Sequence, residues 1–289
     1  MKGVLGHFEY LEPTSVEEAI QMMSTYGTGA KVLAGGTDLL VSMKRKETSP
    51  KCLICIKSLS ELNYIRFSQE TGLRIGALVT HADIAKSEVI KKKFGLLAVS
   101  CNKVGTPQIR NMGTIGGNIC QAGPSQDSIP PLLALDARLK LKGPEGERII
   151  PISNFLIGPF QTVLNETELL TEILVPPPLS NSGGCYKWIT KRSVADETLV
   201  GVAVYIVTDS NKRVCRDIRI GLGSVAPAPF RAMQAEGMLR GKQFENHLLE
   251  QVAVTATEET KPRSRGDYRR NMTKVLVRRA IGEILQKIE

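Results

Sequence analysis

Two glycine-rich segments stand far apart in the chain, LAGGTDLL at Leu33 to Leu40 and NMGTIGGNI at Asn111 to Ile119. Paired glycines have no Cβ, so the backbone can approach a ligand closely and turn consecutive N–H groups the same way, making a concave nest for anionic oxygens. Taken singly, each segment reads more simply as a tight turn. Taken together, each beside an apolar stretch, they describe a place where a ligand with two phosphates could lie between them. Asp127 follows the second segment, in QAGPSQDSIPPLLALDA, just before a proline-started helix. An ionised carboxylate only accepts hydrogen bonds and suits ribose hydroxyls. The plainer role for this residue is a helix N-cap or first-turn acid.

Other phosphate-binding designs do not fit. The string GLGSVA at Gly221 to Ala226 is the one match to a Rossmann glycine turn, and Pro227 and Pro229 disrupt the helix that such a turn must open. No Walker A string, GxxxxGK followed by Ser or Thr, occurs. No Ser/His/Asp set, Cys/His pair or spaced pair of acids proposes hydrolytic or nucleophilic catalysis. His81 in LVTHADI and the lone Trp188 read as ordinary fold residues.

The six cysteines (52, 55, 101, 120, 185 and 215) read as free buried thiols. Cys52 and Cys55 form a CxxC, but KCLICIK alternates like a strand. Cys52, Ile54 and Ile56 then share one face and Leu53 and Cys55 the other, so the pair cannot chelate one metal. His7, His81 and His247 show no ligand spacing, and neither a zinc nor an iron–sulfur site is expected.

The net charge of +9 is dispersed over short groups such as Lys91-Lys92-Lys93 and Arg269-Arg270, with no interleaved aromatic residues. Nucleic-acid binding is therefore not expected; a basic surface that docks an acidic partner subunit is the more useful reading. No apolar run approaches the ~20 residues of a membrane span, and the start, MKGVLGHFEYLEP, lacks the apolar core of a signal peptide. A cytoplasmic location is the default expectation.

The elements that must position these residues follow from periodicity. TSVEEAIQMM predicts a helix, with Thr14 and Glu17 at capping-box spacing, Val16, Ala19, Ile20 and Met23 on one face, and Gly27 as the stop. A strand follows at Lys31 to Ala34, then the turn Gly35-Gly36-Thr37-Asp38, and Leu39-Leu40-Val41 opens a new element. CLICI, GLRIGALVT, RLKLKG and ELLTEILVP predict strands; KKFGLLAVSCNKV and SIPPLLALDA predict helices. Pro176-Pro177-Pro178 and Ser180 to Gly184 have linker composition and mark a domain boundary. Beyond it, YKWITKR, VGVAVYIVTD and CRDIRIGLGSV predict hairpin-joined strands, and helical stretches finish the chain, the last from about Asp267 to Ile288. The expected architecture is α+β in two parts.

KVLAGGTDLL, PQIRNMGTIGGNICQAGPSQDSIPPLLALDA, LLTEILVPPP and YRRNMTKVLVRRA together resemble the FAD-binding subunit of the xanthine dehydrogenase and carbon monoxide dehydrogenase family of molybdenum hydroxylases, in family order and over nearly the whole chain. The resemblance implies a two-part FAD-binding domain of the vanillyl-alcohol oxidase-like (PCMH-type) superfold at residues 1–177, then a C-terminal domain of antiparallel sheet packed on helices at 183–289. It further implies that Val32, Leu33, Ala34, Gly35, Gly36, Thr37, Asp38 and Leu39 wrap the FAD pyrophosphate through backbone N–H groups. Thr114, Ile115, Gly116, Gly117 and Asn118 would form the second phosphate-side turn, Asp127 would hold the adenosine ribose, and Leu170 and Lys187 would contact the flavin. Val104 stands where some relatives carry an aromatic residue near the cofactor.

The implied function is electron transfer. FAD would accept electrons from the [2Fe–2S] clusters of a small subunit, fed by a molybdopterin large subunit, and deliver them to a final acceptor such as NAD. The rival readings are a free-standing FAD-dependent oxidoreductase of the same superfold and a non-catalytic nucleotide-binding scaffold. The family reading predicts a yellow protein that copurifies with two partner chains. A colourless, folded preparation whose absorbance ignores added FAD would contradict it.

Overall fold

A computed structural model describes residues 5–192 and 196–288, so Met1 to Val4, at the head of the stretch read for a signal peptide, lie outside the described residues. The chain begins with β1 (Glu9–Leu11), α1 (Val16–Tyr26), β2 (Ala30–Leu33), α2 (Leu39–Lys44) and β3 (Cys52–Cys55). β3 lies between β1 and β2, parallel to both. Val16, Ala19, Ile20 and Met23 are the buried face of α1, as its periodicity predicts, and Gly27 ends the helix at φ 49°. The cap differs by one residue from the expected Thr14–Glu17 pair. Ser15 is the N-cap and accepts from the Glu18 N–H, while the Thr14 amide and hydroxyl donate to Glu18 Oε2 at 2.6 and 2.7 Å. Thr14 and Ser15 are both competent caps, and the one whose backbone is extended next to the first helical residue takes the role.

The two faces of β3 enter separate cores. Cys52, Ile54 and Ile56 pack with α1, whereas Leu53 and Cys55 pack with Leu33 and Met43. All six thiols are free, and among the described residues no group of His, Cys, Asp or Glu is arranged to hold a metal.

β4 (Ile65–Ser68) and β5 (Gly72–Gly76) then form a hairpin, followed by α3 (His81–Lys86), α4 (Glu88–Lys93), α5 (Gly95–Lys103), α6 (Pro107–Met112), α7 (Ile115–Gln121) and α8 (Ile129–Ala134). The chain returns through β6 (Arg138–Gly143), β7 (Gly146–Pro151), α9 (Ile152–Phe155), β8 (Leu156–Gly158), β9 (Gln161–Thr162) and β10 (Leu169–Val175). β10 inserts between β5 and β6, giving the antiparallel order β4-β5-β10-β6-β7 with Ile173 between Ile75 and Leu139. The strand expected over GLRIGALVT stops at Gly76, because the chain leaves the sheet there to receive another segment. The carbonyls of Ala77 and Val79 accept from the Gly116 and Ile115 amides at 3.0 and 2.9 Å.

β11 (Ser182–Thr190), β12 (Thr198–Thr208), β13 (Cys215–Gly223) and β14 (Phe230–Arg231) form an antiparallel sheet in sequence order, and α10 (Met233–Leu239), α11 (Asn246–Glu258) and α12 (Gly266–Ile288) complete the chain. Its hydrophobic face packs with these helices; Tyr186, Ala203, Tyr205 and Val207 instead join the core of the preceding sheet and helices. Ser182, Gly183 and Gly184 are therefore not linker but the start of β11, paired with Val207, Ile206 and Tyr205. The two glycines sit close to neighbouring side chains: a Cβ on Gly183 would lie 2.9 Å from Ile284, and one on Gly184 2.8 Å from Leu96.

The GLGSVA string also has a packing explanation. A Cβ at Gly221 would lie 2.1 Å from the Pro130 carbonyl oxygen, and one at Gly223 2.7 Å from the Pro130 ring. These glycines let α8 lie directly on β13. Gly221→Ala is accordingly predicted to destabilise the chain by roughly 1–3 kcal/mol, through overpacking against rigid backbone, read as a lower Tm in thermal denaturation.

Candidate functional site

Between β2 and α2 the backbone reverses at Gly36, whose φ of 72° is a left-handed value that suits glycine. Among the described residues, none of the backbone N–H groups from Ala34 to Leu39 donates to a protein acceptor. Unpaired amides in such a run are costly unless water or a ligand satisfies them. The carboxyl of Asp38, although water-accessible, is pushed upward in pKa by the protein mass around it.

The second segment meets the first at Gly35. A Cβ there would lie 2.2 Å from the Met112 carbonyl oxygen and 2.9 Å from Gly113 Cα. The two glycine-rich segments therefore touch backbone to backbone. Their local structures differ from the expected pair of turns, because TIGGN is the opening of helix α7, capped by the Thr114 hydroxyl on the Gly117 N–H. Most of its amides are already engaged: Ile115 and Gly116 donate to Val79 and Ala77, Gly117 to Thr114 Oγ1, and Asn118 to the Thr114 carbonyl. Gly116 is needed for packing, since a Cβ there would sit 2.7 Å from Ala77 Cβ. The unpaired amides thus lie at Ala34 to Leu39, while those of Ile115 to Asn118 are spent within the fold.

Asn118 uses its side chain on the loop that follows, accepting from Ser128 Oγ at 2.6 Å and donating to Gln126. That loop carries Asp127, which is buried and caps no helix: Ser128 is the N-cap residue of α8. Asp127 Oδ1 instead accepts from Tyr186 Oη at 2.7 Å and Thr198 Oγ1 at 2.6 Å. Burial raises the Asp127 pKa, opposed by these two hydroxyls. The acid ties the helical layer to the C-terminal sheet. Trp188 stacks on Tyr186, ring centroids 5.7 Å apart.

Leu170 is buried in the core opposite Leu141, beside a register shift in β10. Lys187 lies on β11 between Tyr186 and Trp188, and strand alternation turns it to the other face, where its ammonium pairs with Glu283 of α12. Two lysines, Lys187 and Lys287, hold the Glu283 pKa at about 2. The structure thus sets Gly35 against Met112 and Gly113, links Asn118 to the loop that carries Asp127, and turns the Lys187 side chain toward α12. Val104 ends α5 and its carbonyl accepts from Arg110 Nη1 at 3.0 Å.

Tyr186, Thr198 and His81 were not legible as site neighbours. His81 is 1% exposed and begins α3 beside the junction of the two glycine segments; its N–H donates to the Gly113 carbonyl at 3.1 Å. Its Nδ1 has no hydrogen-bond partner, and burial, aided by the Arg110 charge, lowers its pKa to about 4. A helix-opening histidine after Thr80 was the available signal.

The run of unspent amides next to a second glycine segment fits the diphosphate of a dinucleotide cofactor. Comparison with known proteins agrees. The profile of the FAD binding domain in molybdopterin dehydrogenase matches residues 6–178, and that of the CO dehydrogenase flavoprotein C-terminal domain matches residues 185–284. The chain is 35% identical to the carbon monoxide dehydrogenase medium chain of Hydrogenophaga pseudoflava, over 95% of this chain and 96% of that one. It is 28% identical to a putative xanthine dehydrogenase FAD-binding subunit of Escherichia coli, over 95% and 94%. The solved structure of Hydrogenophaga pseudoflava carbon monoxide dehydrogenase lacking the Mo-pyranopterin moiety superposes with a TM-score of 0.92 over 96% of this chain and 97% of that one, at 35% identity.

The depressed His81 pKa has a definite sign in stability. The unfolded chain takes up a proton near the ordinary value of 6.5, whereas the folded chain resists it down to about 4. The contribution is complete above pH 6.5 and is lost as pH falls from there to 4, by about 3 kcal/mol in all. Denaturant unfolding of the wild type and His81→Gln from pH 7 to 4 should show the wild type losing more stability; parallel curves would refute the assignment.

Proposed function

The chain belongs to the family of FAD-binding subunits of molybdopterin dehydrogenases, of the carbon monoxide and xanthine dehydrogenase type, and on that premise we propose how it serves a larger assembly. It is a flavoprotein subunit of an oxidoreductase. In the proposal, electrons arrive from [2Fe–2S] clusters of a small subunit, themselves supplied by a molybdopterin large subunit, and leave to a final acceptor such as NAD. FAD, when bound, supplies the junction between single-electron carriers and a two-electron acceptor. No helix among the described residues is long and apolar enough to cross a membrane, and a cytoplasmic setting accords with the reading.

The protein's own work is positioning. The amides of Ala34 to Leu39 would hold the diphosphate, with Gly35, Gly36 and Thr37 at the bend and Asp38 and Leu39 opening α2; Val32 and Leu33, paired with β3, would anchor the bend from β2. Thr114, Ile115, Gly116, Gly117 and Asn118 would brace that bend, with Gly117 exposed. Asp127 would present its carboxylate to the ribose from behind Asn118. Leu170 would contribute through its backbone, and Lys187 would do so on release from Glu283. We place the boundary between the FAD-binding and C-terminal domains between residues 177 and 183.

The unspent amides of Ala34 to Leu39 carry this proposal. Gly36→Val forces a β-branched residue into a left-handed conformation costing about 1–3 kcal/mol, so FAD affinity should fall roughly 10- to 100-fold. Fluorescence titration of the apoprotein measures this; unchanged affinity would remove the bend from the cofactor site. Purification with the neighbouring chains, followed by substrate-dependent NAD reduction, tests the partner and acceptor assignments.

A further inference from the structure

His81 is the candidate that the cradle leaves unexplained. Its amide is spent on the Gly113 carbonyl, and the adjacent Thr80 and Thr114 form an antiparallel bridge, so the imidazole is fixed to the seam between α3 and the second glycine segment. A Cβ built on Gly113 would lie 3.4 Å from His81 Cδ2 and 3.5 Å from Thr37 Oγ1. The Cδ2 edge of the ring therefore runs along the contact between the two glycine segments, beside the residue at the bend of the first.

The opposite edge decides the tautomer. Nδ1 is enclosed and has no partner. A proton placed there would be a buried, unsatisfied donor, whereas a bare lone pair in the same place costs less. Burial and the nearby Arg110 charge keep the ring neutral at ordinary pH. The single proton accordingly belongs on Nε2, the nitrogen bonded to Cδ2, on the edge that borders Gly113 and Thr37.

We propose that His81 is a cofactor-positioning residue, a neutral imidazole whose Nε2–H donates to a diphosphate oxygen of FAD alongside the amides of Ala34 to Leu39. The inference rests on the cradle reading and adds to it a side-chain donor where the amides of Thr114 to Asn118 are largely spent. A neutral donor supplies direction without the salt-dependent pull of a cation. It also explains why a polar ring is tolerated in a buried seam.

The test uses the full chain, stripped of flavin and titrated with FAD, with three substitutions that separate donor position from bulk. His81→Leu should weaken FAD binding about tenfold through loss of one hydrogen bond to a charged group. His81→Gln, whose amide nitrogen can occupy the Nε2 position, should stay within about threefold of the wild type. His81→Asn, which reproduces only the Nδ1 position, should behave like the Leu variant. The 31P spectrum of bound FAD should move in the Leu and Asn variants and not in the Gln variant, and imidazole 15N shifts should show the proton on Nε2. A folded His81→Leu protein that binds FAD as tightly as the wild type, or a proton found on Nδ1, overturns the inference. If the Leu variant fails to fold, the Asn and Gln pair and the 15N spectrum decide. If wild-type apoprotein does not bind FAD, the cradle reading itself falls, an outcome distinct from selective loss in the variants.

Discussion

The close approach of two main chains at Gly35 is the constraint on which the site depends. The Met112 carbonyl and Gly113 occupy the space that any side chain at position 35 would need, so the two main chains approach this closely only with glycine there. Beside this contact the chain bends at Gly36, and the amides of Ala34 to Leu39 have no protein partners. Unsatisfied amides arranged before binding require little reorganisation when an anion arrives. The cost is carried by the cores around them, chiefly the one that β10 and α7 share.

The seam is braced from the C-terminal side. α7 is tied through Asn118 to the loop bearing Asp127, and Asp127 accepts hydroxyls from β11 and β12. A buried acid with hydroxyl partners is directional and gives the two halves one register, where apolar packing alone would permit sliding. Gly221 and Gly223 serve the same joint by letting Pro130 rest on β13. The C-terminal sheet is thus a wall of the site's foundation as well as a separate layer.

Much of this was legible in the sequence. The buried face of α1, the opposed faces of β3, the strands β11 to β13 and the last helix follow from periodicity alone. The errors have physical causes. Ser15 displaced Thr14 as cap because neighbouring hydroxyls compete and geometry chooses. TIGGN looked like a turn because two glycines are poor helix formers, yet the carbonyls of Ala77 and Val79, outside its own segment, hold its start. Gly183 and Gly184 have linker composition because glycine suits both flexible segments and strands that pass close to neighbouring side chains. Asp127, Tyr186 and Thr198 are separated by 59 and 71 positions, so their association follows only from the fold. His81 gives no ligand signal in the sequence, because spacing reveals ligands for metals, whereas an unpartnered ring nitrogen is visible only in three dimensions.

The stacking of Trp188 on Tyr186 gives the molecule an optical gauge of its own. The chain has a single tryptophan, it is partly open to solvent, and the ring beneath it donates to the acid that joins the two halves. Indole emission from this protein therefore has one origin, and its intensity and colour report on the mechanical integrity of that joint.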